Sequence, residues 1–418
     1  MKDLLKTIIF DQQANNWSPE FVKRQIPEGF IASPEIMVIS GIRRCGKSTL
    51  LLQIRKDATE HDFFMNFDDD RLVNFTVADF QILHETFIEL FGDQNVFYFD
   101  EIQNIPGWER FVRRLHDNGN KVFLTGSNAT MLSRELGTHL TGRYLSFELF
   151  PFSFHEYLTY TGHILSTKQL HSTAGRSLLQ RQFNDYFQTG GFPGYLKTKN
   201  EEYLKSLYQS ILYRDVMVRN RLTNEKELLE LIYFLASNTA KLSSNNSLTK
   251  IVGVKNATTI RNYIEFLENT YLLFQIYKFD HSVKKQIRNA KKTYFIDNAL
   301  VKKLGFLFSD ESGRLLENLI FIELKRRGKE VFYHANRKEC DFIIKQGTQI
   351  IQALQVCHTF DSPDTFNREL SGLMDAISTY QLQEGYIITS YTEDEILHEN
   401  KKIHVKPAWK WLLEDLRS

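Results

Sequence analysis

Gly41-Ile42-Arg43-Arg44-Cys45-Gly46-Lys47-Ser48 fits the pattern G-x-x-x-x-G-K-[ST] and follows the apolar run Ile36-Met37-Val38-Ile39, which reads as a buried strand. Glycines at both ends let the backbone turn tightly, so that its N–H groups and the start of the next helix face a polyphosphate. Lys47 is expected to reach the β- and γ-phosphates and Ser48 to ligate Mg²⁺, with Thr49 behind it among the nucleotide-contacting residues. Arg43 and Arg44 add positive charge beside the phosphates or face a neighbouring domain, and Cys45 is a small residue filling the loop. The stretch therefore implies binding of a nucleotide, ATP, with Mg²⁺.

Working outward, apolar runs alternate with helical patterns: Phe63 to Phe67, Asp79 to Phe91, Val96 to Phe99, Trp108 to His116, Val122 to Leu124, and a last strand from Tyr144 to Leu149. Short strands separated by helices of about ten residues predict an α/β unit with a parallel sheet covered on both faces. One of those strands ends in two acids, Asp100 and Glu101, some fifty residues after the loop. Asp100 is expected at the metal, through its water, and Glu101 as the group that polarises the attacking water. The next strand ends in Leu124-Thr125-Gly126-Ser127-Asn128, where Asn128 or Ser127 is placed to hold the water or the γ-phosphate. Arg134 and Arg143 offer charge for the transferring phosphate, within the chain or across a subunit boundary, and Arg143 is the first choice.

The 418 residues exceed what one core normally serves, and the balance of 52 Lys and Arg against 51 Asp and Glu excludes a global basic field. Contact with nucleic acid must then come from a local patch. No apolar run is long enough to cross a membrane, and three scattered cysteines suit a reducing compartment, so a soluble, cytoplasmic protein is expected. Four domains are predicted: a P-loop ATPase domain over 1–150, a helical domain over 151–242, a winged helix-turn-helix over 243–308, and a further α/β domain over 309–418. The segment Lys278 to Lys292 carries Lys284, Lys285, Arg288, Lys291 and Lys292 and reads as a basic hairpin able to lie along the backbone of double-stranded DNA, while Lys255, Asn256, Thr258, Thr259 and Arg261 open the adjacent helix.

The loop GIRRCGKSTLL (41–51), the strand VFYFDEIQNIPGWE (96–109), LTGSNATML (124–132), LTGRYLSFELFPFSFHEYL (140–158), GGFPGYL (190–196), GRLLENLIFIELKRRG (313–328) and ECDFII (339–344) together resemble the prokaryotic AAA-type ATPases that carry a C-terminal restriction-endonuclease-like domain of unassigned function. The resemblance runs from about Ile8 to Thr389. It implies an ATPase core of the additional-strand type, a winged helix, and a terminal fold similar to PD-(D/E)XK nucleases. In such a nuclease Glu317 and Asp341 would hold the metal, but the strand that should present an acid and a lysine reads Leu354-Gln355-Val356-Cys357. Gln355 and Cys357 replace the second carboxylate and the ammonium, which predicts a degenerate site without cleavage. Expected overall is Mg-dependent ATP hydrolysis driving a conformational change linked to DNA, in a chain able to form a homo-oligomer. The alternatives are a nucleotide-gated switch or DNA-binding adaptor with little turnover, or an ATP-regulated nuclease.

Overall fold

The alternating strands and helices of the N-terminal segment close into an α/β sandwich in the computed structural model of the chain. It describes residues 1–14, 21–27, 29–127, 137, 140–306, 311–360 and 362–414. The chain divides into two units, one made of Met1–Phe150 with Asn269–Tyr271 and the other of Pro151–Glu268 with Leu272–Ser418.

The elements of the first unit are α1 (Lys2–Ala14), β1 (Ile36–Ser40), α2 (Lys47–Lys56), β2 (Phe64–Asn66), α3 (Phe80–Phe91), β3 (Val96–Asp100), α4 (Trp108–Asp117), β4 (Lys121–Gly126) and β5 (Tyr144–Glu148). The five strands form one parallel sheet in the order β2-β3-β4-β1-β5. Thus β4 is inserted between the strand that precedes the glycine loop and the strand that ends in the two acids. All five residues of β1 are buried, as a central parallel strand covered on both faces requires. Helices α3 and α4 bury one stripe each, Phe80, Leu83 and Phe87 on the first and Trp108, Phe111, Val112 and Leu115 on the second. Their aromatic rings interlock with the sheet: Phe80 stacks on Phe111 at 4.6 Å, and Phe63 packs on both Phe87 and Phe97. Helix α1, which the sequence pattern did not single out, adds Leu5, Ile8 and Ile9 to the same core.

The second unit begins with α5 (Phe154–Tyr160), α6 (Thr167–His171), α7 (Thr173–Thr189), α8 (Pro193–Thr198), α9 (Glu201–Gln209), a π-helical turn over Ser210–Val218, and α10 (Glu225–Ser237). Then come β6 (Leu242–Ser243), α11 (Asn245–Val252), α12 (Ala257–Asn269), β7 (Leu273–Tyr277), α13 (Val283–Arg288) and β8 (Lys291–Phe295). Strands β7 and β8 form an antiparallel pair, with β6 on the far side of β8. Within the segment read as a basic hairpin, Val283–Arg288 folds into α13, whose Gln286 side chain donates to the carbonyl of Asp280 (2.6 Å).

After α14 (Asn298–Leu304) follow α15 (Ser312–Arg326), β9 (Glu330–Ala335), β10 (Glu339–Gln346), β11 (Gln349–Val356), α16 (Pro363–Thr379) and β12 (Glu384–Thr389). Two strands beyond the expected order, β13 (Asp394–His398) and β14 (Lys401–Pro407), and the turn α17 (Ala408–Trp411) complete a six-stranded mixed sheet, β13-β14-β12-β11-β10-β9. Every residue of α15 from Leu315 to Leu324 is buried, so its polar side chains need internal partners. Asn318 takes the backbone N–H and C=O of Phe295, at 2.7 and 2.9 Å, and Glu323 takes Arg326 and Arg327.

Candidate functional site

The glycine loop joins β1 to α2, and its two glycines are there for space and for backbone angle. A side chain on Gly41 (φ 143°) would stand 2.2 Å from the carbonyl oxygen of Leu149, and Gly46 (φ 106°) starts α2 from the left-handed region. The first N–H groups of α2, beginning at Lys47, have no acceptor of their own within the helix and open toward the loop. Arg24 lies buried behind it, donating to the carbonyls of Cys45 (3.2 Å) and Phe150. No motif marks Arg24, because its partners are backbone carbonyls far away in sequence.

Lys47 is buried, and its ammonium is folded back onto the carbonyls of Gly41 and Ile42, both at 3.1 Å, with Glu101 Oε1 at 3.9 Å. Ser48 Oγ donates to Asp100 Oδ1 (3.1 Å), which also accepts from Thr125 Oγ1. Burial pushes the Asp100 carboxyl up to about 6, against the pull of those hydroxyls and of Lys47. Glu101 sits at φ 51°, a left-handed angle uncommon for a side-chain-bearing residue, and its N–H donates to Thr125 Oγ1 (2.9 Å). Its carboxylate accepts from Gln103 Nε2 and from Ser127 Oγ (3.3 Å). The tips of β1, β3 and β4 therefore bring Lys47, Ser48, Asp100, Glu101, Thr125 and Ser127 into one cluster. Burial pushes the Cys45 thiol up, in keeping with an inert filler of the loop. Arg43 is half-buried, whereas Arg44, Ser48 and Thr49 are exposed at the loop's open side.

The residues fit Mg-ATP: a turn that only glycine allows, a buried lysine, a helix N-terminus at the loop, and a hydroxyl beside a buried carboxylate. Asn128 and Arg134 lie outside the described residues. Arg143 does not join this cluster. It precedes Tyr144, which pairs with Ile36 at the start of β1, so it stands at the opposite end of the sheet, with its Nε on Asp117 Oδ1 (3.0 Å). Thr125 and Gln103 were missed in the sequence. Thr125 is legible as the last polar residue of β4, but only the register of β4 beside β3 shows that its hydroxyl serves both acids.

The second unit brings Glu317 and Asp341 together as expected, and it supplies an ammonium from an unexpected place. Lys292 Nζ on β8 lies 3.0 Å from Glu317, 2.9 Å from Asp341 and 2.8 Å from Glu339. Lys292 is thus buried among carboxylates, which corrects its assignment to a DNA-facing surface. Lys291 is half-buried over the ring of Tyr277 at 4.4 Å, while Lys284, Lys285 and Arg288 are exposed on α13. Gln355 is buried beside Asp341, accepting its N–H (3.2 Å) and donating to Glu369 (2.6 Å). Cys357 points its sulfur at the Thr359 carbonyl (3.1 Å). Among the described residues, no group of three or more His, Cys, Asp or Glu side chains is arranged to hold a metal ion, and no helix is long and apolar enough to cross a membrane.

Comparison with known proteins supports the reading of the first unit. Residues 33–158 match the AAA domain family, and residues 180–311 match a domain of unknown function, DUF8612. The chain is 32% identical to the uncharacterized protein MJ1544 of Methanocaldococcus jannaschii over 432 residues, covering 99% of this chain and 96% of that protein. An uncharacterized protein of Haemophilus influenzae is 32% identical over 76% of this chain and 81% of its own length. Solved structures with some likeness are a complex of Thermococcus gammatolerans McrB AAA+ hexamers with bound McrC and Cdc6p of Pyrobaculum aerophilum. The first is 13% identical, covers 44% of this chain and 48% of that one, and has a TM-score of 0.20. The second is 9% identical, covers 73% of this chain and 97% of that one, and has a TM-score of 0.24. With its AAA domain and near full-length match, the chain belongs to the family of the M. jannaschii protein MJ1544.

Proposed function

We propose that the first unit binds Mg-ATP in the loop Gly41 to Thr49 and hydrolyses it, and that turnover is coupled to a DNA contact made by the second unit. The observation that carries the ATPase reading is the meeting of Lys47, Ser48, Asp100 and Glu101 at adjoining strand tips, joined through Thr125. Bound magnesium would supply charge neutralisation between the phosphates. Ser48 and Asp100 would hold that ion directly or through its water, Lys47 would reach from the loop carbonyls to the phosphates, and Glu101 would orient and deprotonate the attacking water. The Glu101 carboxylate accepts from Gln103 and Ser127, so these donors compete with a water for the base. That competition favours a second reading, a nucleotide-gated switch with slow turnover. Arg143, at the far end of its own sheet, could act only on nucleotide held by another copy of the chain.

The DNA contact is supported by the order α10-β6-α11-α12-β7-α13-β8 with its three-stranded sheet, which fits a winged helix-turn-helix with a helix inside the wing, and by exposed Lys284, Lys285 and Arg288 on that helix. The order helix, three strands, helix, strand from α15 to β12 supports a restriction-endonuclease-like domain at the end of the chain.

Two variants test the ATPase reading. Lys47→Ala should abolish ATP binding by equilibrium measurement. Glu101→Gln should bind ATP normally and lower steady-state turnover by about 100-fold or more, the usual order for loss of a positioned base. Equal turnover in wild type and Glu101→Gln removes Glu101 from the mechanism.

A further inference from the structure

Among the described residues of the second unit, Lys292 is the one cation whose surroundings resemble an ion site. Its side chain is 3% exposed, and an ammonium has three donors and no acceptor. Here there are three carboxylate acceptors from two elements: Glu317 on α15, and Glu339 and Asp341 on β10, all at 2.8–3.0 Å. Two of these carboxylates are held further. Glu317 Oε1 also accepts from the hydroxyl of Tyr294 (2.7 Å), and Asp341 Oδ2 accepts from the N–H of Val356 (3.0 Å). Gln355, the side chain nearest in place to a further metal-binding acid, is committed to Asp341 N–H and to Glu369. A divalent ion added among these acids would sit against the ammonium, with Glu317 Oε1 and both oxygens of Asp341 already engaged. Mg²⁺ and Mn²⁺ also need oxygens pulled in close to the metal, nearer 2.1 Å than the separations around Nζ.

We propose that Lys292 Nζ is the resident cation of this acid cluster, standing where a divalent ion would otherwise be held, so that β8, α15 and β10 are joined by a metal-excluding ionic clasp. The lysine comes from the strand that follows α13, not from the strand carrying Gln355 and Cys357. The loss of that strand's acid and lysine is then only part of what disfavours a metal here: a cation of the chain itself stands among the acids. The proposal is independent of whether the first unit hydrolyses ATP.

Removing the ammonium while keeping most of the stem should turn the clasp into a metal site. Full-length protein without nucleotide is titrated with Mn²⁺, free Mn²⁺ being read by electron paramagnetic resonance. Wild type and Asp341→Asn should bind Mn²⁺ alike, whatever the first unit takes up. Lys292→Met should gain one further equivalent, bound at least about tenfold tighter than any such site in wild type, and Lys292→Met/Asp341→Asn should lose it again. A wild-type Mn²⁺ site abolished by Asp341→Asn overturns the proposal, as does a folded Lys292→Met protein that gains none. Should Lys292→Met fail to fold, Mn²⁺-soaked crystals of the wild-type protein decide: an anomalous peak between Glu317 and Asp341 overturns the clasp, and its absence upholds it.

Discussion

Thr125 Oγ1 donates to Asp100 and accepts from the N–H of Glu101 at 2.9 Å, so one hydroxyl serves both acids of the nucleotide site. In Thr125→Val the shape remains, but a buried carboxylate and a backbone N–H each lose a partner. Burial already holds Asp100 up near 6, and the Thr125 hydrogen bond is the largest of the influences pulling it down. Without it the carboxyl rises further, and a larger fraction is protonated, and unable to serve the metal, at neutral pH. A carboxyl near 6 whose proton affinity rises about tenfold is ionised about threefold less at pH 6.5, so Thr125→Val should raise the Mg²⁺ concentration needed for half-maximal ATPase by about threefold at that pH, and hardly at all at pH 8.5, where Asp100 is ionised in both proteins. ATPase activity followed against Mg²⁺ at the two pH values checks this, and a defect independent of pH would count against it. The loop and Asp100-Glu101 were legible in the sequence because their chemistry is tied to fixed spacing. Thr125 and Arg24 were not, since a threonine at a strand end and an arginine before a loop acquire their partners only when distant segments fold together.

At the scale of elements, the loop Gly190-Gly191 is fastened to the start of α14 by one buried side chain. Asp297 Oδ2 accepts from Gly191 N–H (2.7 Å), and Oδ1 caps α14 through Ala299 N–H (2.8 Å). A side chain on Gly190 would collide with that carboxylate, 2.0 Å away, which explains the glycine. Burial pushes the Asp297 carboxyl up to about 6 despite its N–H donors. The folded state therefore holds this proton more tightly than the unfolded state does, and stability falls as the pH rises from about 4 through about 6, a contribution of about 3 kcal/mol in all, with roughly half remaining at pH 5. Asn cannot titrate and must turn an NH₂ toward one of the two N–H donors, so Asp297→Asn should lose about 1–3 kcal/mol at pH 7 and about 1.5 kcal/mol more at pH 5. Denaturant unfolding of both proteins at the two pH values gives the comparison, and an equal or smaller loss at pH 5 would refute it. The helices and strands around this staple follow their sequence periodicity closely. What the pattern could not show was α13, six polar-rich residues that read as an exposed turn, or the inward register of Lys292. Its partners Glu317 and Asp341 lie 25 and 49 residues away, so nothing local distinguishes it from the exposed lysines beside it.

For the whole molecule, charge decides what a DNA contact would look like. The net charge of +1 gives no long-range attraction, so affinity must come from a patch whose cations face solvent. Lys292 is spent on carboxylates and Lys291 lies over Tyr277, which leaves Lys284, Lys285 and Arg288 on α13, with exposed Lys255 and Arg261 at the start of α12. Each cation that neutralises a phosphate releases a counterion and adds roughly 0.9 to the slope of log affinity against log salt. Replacing Lys284, Lys285 and Arg288 together by glutamate should therefore reduce that slope by roughly 3 and abolish duplex binding near physiological salt. The three side chains are exposed, and only Lys285 is near an acid, Asp280 at 4.0 Å, so folding and ATPase activity without DNA should be unchanged in the same protein. Fluorescence anisotropy of a labelled duplex across a salt series, with that ATPase rate as the control, separates the outcomes. Binding that keeps its slope in the triple variant would move the contact off the wing, and a wild type that binds no duplex at low salt would leave ATP turnover in the first unit without the DNA coupling proposed for the second.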